Sequence, residues 1–116
     1  MQQGTRGCVA YVAGRVVSGT EGTSIFDYSR SKHVSFGGSI DGDSVSVYDY
    51  ERKCHFSGSL PSLYDYGTQA HVLINIKADS SDGYDYKSQK HFSGSVSGSS
   101  VSLYDYEESK HFSYTL

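Results

Sequence analysis

Tyr104-Asp105-Tyr106-Glu107-Glu108-Ser109-Lys110-His111-Phe112 is the stretch that decides the fold, because the chain carries near-copies of it upstream. In each, an aromatic-Asp-Tyr triplet is followed by a histidine six residues after the aspartate. The pairs are Asp27/His33, Asp49/His55, Asp65/His71, Asp85/His91 and Asp105/His111, and they account for all five histidines. A polar loop separates triplet and histidine, as in Ser29-Arg30-Ser31-Lys32 of the first copy. Short β-branched and aromatic runs bounded by such loops read as the strands of hairpins.

The last copy supplies a template. A four-residue loop Glu107 to Lys110 pairs Tyr106 with His111, Asp105 with Phe112, Tyr104 with Ser113 and Leu103 with Tyr114. Side chains alternate along a strand, so Val101, Leu103, Asp105, Phe112, Tyr114 and Leu116 share one face. Ser102, Tyr104, Tyr106, His111, Ser113 and Thr115 share the other. The first face is the more apolar and is assigned to the core. A five-residue loop pairing Asp105 with His111 would move Phe112 and Leu116 away from Val101 and Leu103, and is disfavoured for that reason.

The linkers support the same facing. Ile40 to Val45 and Val96 to Val101 each hold two aliphatics apart by four small or polar residues, and Gly42 and Gly98 take the first position of a two-residue turn. Leu60-Pro61-Ser62-Leu63 reads as a Pro-Ser turn that pairs its leucines, and Ile76 to Ser81 puts Ala78-Asp79 at a tip. From aspartate to aspartate the steps are 22, 16, 20 and 20 residues, all even, as an antiparallel meander requires if it is to keep one face inward. A parallel β-solenoid is the alternative, but a coil of fixed circumference resists swings between 16 and 22 residues.

The expectation is an all-β single domain over residues 1–116, with an N-terminal hairpin in 1–24 leading into a five-repeat array over 25–116. About 10–12 short strands result, too many for one flat sheet in a small domain. Closure into an up-and-down barrel, or folding into a β-prism or sandwich, removes or protects the edges.

A formal net charge of −3 gives no reason to expect nucleic acid as a partner. No run of about 18 apolar residues points to a membrane, and Met1 to Cys8 lacks the pattern of a secretory signal. Cys8 and Cys54 form neither a disulfide framework nor a metal spacing, which favours a reducing, cytoplasmic compartment. The meander sorts Arg30, Lys32, Arg52, Lys53, Lys87, Lys90 and Lys110 onto one rim, and Asp41, Asp43, Asp79 and Asp82 onto the other, where no repeat-borne lysine or arginine falls.

Asp/His pairs invite a metal or hydrolytic reading, but this register puts the two residue types on opposite faces of the sheet, and no cofactor is expected. Asp27, Asp49, Asp65, Asp85 and Asp105 read as turn anchors that accept hydrogen bonds from loop N–H groups. The histidine reads as the cross-strand neighbour of the second tyrosine of its motif. Tyrosine combines an apolar ring with a polar tip, so Tyr48, Tyr50, Tyr64, Tyr66, Tyr84, Tyr86, Tyr104 and Tyr106, interleaved with His55, His71, His91 and His111, are the candidate binding residues. The reading is a non-enzymatic module that binds carbohydrate or a protein surface through a Tyr/His/Ser face. The competing reading makes the same belt a homo-oligomer interface in a structural protein.

Overall fold

The computed structural model, which describes residues 1–116, is an up-and-down barrel of antiparallel strands wrapped round a helix. Helix α1 spans Gln3–Ser18. The wall is then built in chain order by β1 (Ser24–Asp27), β2 (Lys32–Asp41), β3 (Ser44–Asp49), β4 (Cys54–Ser59), β5 (Ser62–Asp65), β6 (Ala70–Lys77), β7 (Ser80–Asp85), β8 (Lys90–Ser97), β9 (Ser100–Asp105) and β10 (Lys110–Thr115). Each strand pairs with its sequence neighbours, and β1 closes the barrel on β10 through Phe26↔Thr115 and Asp27↔Tyr114. The meander therefore closes as a barrel rather than folding into a prism or sandwich, and the parallel solenoid is excluded.

The helix replaces the expected N-terminal hairpin, and this is the main correction to the sequence reading. Every residue from Thr5 to Gly14 is buried. Eight strands make a barrel that side chains alone can fill, whereas wider barrels leave a lumen. Here α1 occupies that lumen, and a 16-residue helix is about 24 Å long at 1.5 Å per residue, enough to span the barrel. A helix enclosed on all sides has no polar face, so its sequence shows no 3.6-residue alternation. Its small residues set the fit to the wall. A Cβ on Gly14 would lie 2.9 Å from both Val101 Cγ2 and Leu116 Cδ2. Tyr11 stacks on Phe36 with ring centroids 4.3 Å apart, and its hydroxyl donates to the Gly22 carbonyl at 2.8 Å. Beyond Ser18 the backbone turns left-handed at Gly19, whose N–H donates to the Arg15 carbonyl, a normal helix stop.

Inward wall residues complete one core with the helix. Ile25, Val47, Phe56, Leu63, Val72, Ile74, Phe92, Leu103 and Tyr114 are at most 1 % exposed and cluster with Cys8, Val9, Ala10 and Val12 of α1. The facing assigned from the sequence holds: Val101, Leu103, Asp105, Phe112 and Tyr114 all point inward. The pairing differs from the template. Asp105 lies opposite Lys110, Tyr104 opposite His111 and Leu103 opposite Phe112, so the loop is Tyr106 to Ser109. Sliding a four-residue loop by one position along the chain moves each partner by two residues, which preserves the buried face. The loop places Ser109 and its counterparts Ser31, Lys53, Gln69 and Gln89 at positive φ.

On the opposite rim Ile40↔Val45 and Val96↔Val101 pair as expected, with Gly42 and Gly98 left-handed at φ 58° and 59°. Ala78 occupies the equivalent turn position at φ 56°. The Leu60/Leu63 pairing does not form: Ser59 lies opposite Ser62, Gly58 opposite Leu63, and Leu60-Pro61 is the turn.

Candidate functional site

The motif aspartates form a ring inside one mouth of the barrel, around the start of α1. All five are at most 1 % exposed. Each carboxylate accepts the N–H two residues downstream, from Ser29 at 2.9 Å, Glu51 at 3.0 Å, Gly67 at 2.8 Å, Lys87 at 3.1 Å and Glu107 at 3.0 Å. They are the turn anchors expected from the sequence, and they also hold the helix. Thr5 Oγ1 donates to Asp65, Arg6 Nη1 reaches Asp105 at 3.0 Å, and the Cys8 thiol faces Asp49 at 3.6 Å. Arg52 joins wall and plug by donating to Asp49 at 2.7 Å, to both Asp65 oxygens at 3.1 Å and to Cys8 Sγ at 3.2 Å. The positive end of the helix dipole meets the carboxylates, which adds to these contacts. Arg6 also lies over the Phe112 ring, 3.5 Å from its centroid. Neither Thr5 nor Arg6 carried a signal in the sequence, because their partners lie 60 and 99 residues away.

Burial alone would raise the Asp27 carboxyl, but hydrogen bonds from Ser29 and Arg30 outweigh it and hold the group below its ordinary value. Lys32 and Arg30 hold Glu51 below the usual carboxylate range against a smaller effect of burial. Burial pushes the Cys8 thiol well up.

The motif rim is less basic than its composition suggests. Arg30 is committed to Asp27 and Glu51, Lys32 to Glu51, and Arg52 to Asp49 and Asp65. On the other rim, Lys77 beside the β6–β7 turn accompanies the acidic residues, and Asp82 belongs not to that rim but to the middle of β7.

The outer wall carries the aromatic belt. The first aromatic of each triplet, Phe26, Tyr48, Tyr64, Tyr84 or Tyr104, is half-buried and sits edge-on to the histidine of its own motif, with centroids 4.7 to 4.9 Å apart. The second tyrosine packs on the first at 4.7 to 5.1 Å. The histidine thus partners the first aromatic, not the second tyrosine as the sequence template had it. Tyr28, Tyr50, Tyr66, Tyr86 and Tyr106 are 50 to 57 % exposed. Tyr66 approaches His55 at 6.5 Å, and the hydroxyl of Tyr50 lies 2.6 Å from where a Cβ on Gly37 would stand. His33, His55, His71, His91 and His111 are all exposed. The aspartate and histidine of one motif are therefore separated by the thickness of the wall and cannot share a first coordination shell.

No family model matches the chain, and neither a curated protein nor a solved structure matches it. No helix is long and apolar enough to cross a membrane.

Proposed function

We propose that the barrel is a non-catalytic binding module whose Tyr/His/Ser outer face takes carbohydrate. The observation that supports this is the repeated presentation of a half-exposed tyrosine on an edge-packed aromatic–His pair, five times round one rim, the aromatic being Tyr in four copies and Phe26 in the first. An aromatic ring held by its neighbours offers a flat apolar surface to the C–H face of a sugar at little entropic loss, and adjacent hydroxyl and imidazole groups can meet the sugar hydroxyls. The plug and the aspartate ring supply rigidity, while the binding groups lie outside.

The test compares the parent with a Tyr50→Ser, Tyr66→Ser, Tyr106→Ser triple variant on a glycan array and in affinity electrophoresis through neutral polysaccharides. Retardation or array signal in the parent, lost in a variant that still melts cooperatively, is the expected result. Equal behaviour of the two proteins would refute it. The same exposed tyrosines favour one second reading, a belt buried between copies of the chain. Light scattering across a wide concentration range separates the two, because a belt closed by self-association is not open to a sugar.

A further inference from the structure

The belt repeats, but the wall beneath it has one patch where the repeat is broken. Three residues before the motif aspartate stands an outward serine, Ser24, Ser46, Ser62 and Ser102, except on β7, where Asp82 takes the place. Two residues after the histidine stand Ser35, Ser57, Ser93 and Ser113, except on β6, where Leu73 does. Four residues after it come Gly37, Ser59, Ser95 and Thr115, except again on β6, where Asn75 does. The barrel brings these departures together: Asn75 lies directly opposite Asp82, and Leu73 directly opposite Tyr84. Directly opposed side chains stand roughly 5 Å apart at Cβ, so the three act on one small area.

That area is concave. Leu73, Asn75, Asp82, Tyr84 and His91 line a depression of about 180 Å³. Asp82 and His91 also line a neighbouring groove of about 640 Å³, together with Lys90 and Ser93, which flank His91 on β8, and Tyr106. The volumes together are on the scale of small-molecule clefts, roughly 300–1,000 Å³.

We propose that this groove across β6, β7 and β8 is a sugar-binding site for a neutral pyranose with vicinal hydroxyls, an inference that rests on the carbohydrate reading of the belt. The chemistry selects the class. Asp82 is exposed and, when ionised, only accepts hydrogen bonds, and its two oxygens match the spacing of two adjacent hydroxyl donors. Asn75 beside it both donates and accepts. Leu73 and the rings of Tyr84, His91 and Tyr106 meet the apolar face. An anionic ligand would face the Asp82 carboxylate and a cationic one the Lys90 ammonium, so a neutral polyol fits this lining best.

The experiment titrates isotopically labelled full-length protein with the methyl glycosides of glucose, galactose and mannose, followed by amide chemical shifts. Asp82→Ser, Asn75→Ser and Leu73→Ser each install a residue that another repeat already carries at that position, so the wall should stay folded, and Asp82→Asn keeps the shape while removing the charge. At least one glycoside should move the amides of residues 73, 75, 82, 84 and 91 first. Asp82→Ser and Asp82→Asn should then weaken that binding about tenfold or more, as expected for loss of a charge-assisted contact, while Asp41→Asn, which removes an exposed carboxylate on the far rim of β2, leaves it unchanged. Shifts spread evenly over all five motifs and insensitive to Asp82 would overturn this site yet sustain the belt. No shift with any of the glycosides, in protein whose spectrum is well dispersed, would overturn both.

Discussion

Replacing Asp65 with alanine should destabilise the barrel far more than the same change at Asp85, although the two occupy equivalent positions in the sequence. Both are fully buried and both accept the N–H two residues on. They differ in what else depends on them. Asp85 otherwise accepts only from Ser88 Oγ at 2.9 Å, so its removal strands one backbone N–H and one hydroxyl beside a loop, a loss of about 1–2 kcal/mol. Asp65 accepts from Thr5 on the helix and, through both oxygens, from Arg52, whose side chain is only 18 % exposed. Its removal leaves a largely buried guanidinium half-compensated by Asp49 and removes the Thr5 contact between α1 and the wall, which together should amount to about 3–5 kcal/mol. Against a total of about 5–15 kcal/mol for a domain of this kind, the first loss lowers the midpoint and the second threatens the fold. Urea unfolding followed by far-ultraviolet circular dichroism measures both, with the slope checked for constancy. Equal losses at the two positions, within about 0.5 kcal/mol, would refute the idea that the ring joins plug to wall, and would reduce the aspartates to turn residues.

Two further outcomes follow from the titrating groups. Asp27 and Glu51 are held below their ordinary values, so the stability they contribute is present above the unfolded carboxylate values, roughly pH 4, and is lost as pH falls through the depressed folded ones; Arg30→Met should lower stability at pH 7, and the gap from the parent should close in acid. A gap that persists at pH 2 would show that Arg30 acts by packing alone. The Cys8 thiol is raised by burial inside the lumen, so its contribution is complete below the ordinary thiol value of about 8.5 and is lost as pH rises toward the folded one. An aromatic disulfide reagent at pH 8 should therefore modify Cys54 first and reach Cys8 only at the rate at which the barrel opens, and immediate reaction of Cys8 would place the helix outside the lumen.

Strand facing, the two glycine turns at Gly42 and Gly98 and the anchoring role of the aspartates are legible in the sequence because each depends on neighbours a few residues away, whereas the Leu60-Pro61 turn and the position of the motif loop are not. A side chain two positions along a strand points the same way whatever the partner strand does, which is why Asp105, Leu103 and Phe112 were assigned inward even though their pairing was displaced. Gly42 and Gly98 at left-handed φ are equally local. The helix was not legible. The helix carries four valines, Val9, Val12, Val16 and Val17, and three glycines, Gly4, Gly7 and Gly14, with no polar stripe, and such a segment is a poor helix by local preference. It becomes helical because a ten-stranded wall leaves a lumen that must be filled, and because backbone groups inside an apolar tube must bond to one another. Nor could the sequence show that Leu73, Asn75 and Asp82 converge, since that depends on which residues the closed wall sets opposite one another. The repeat determined the wall, and closure of the wall decided what lies inside it and which irregularities on its surface come together.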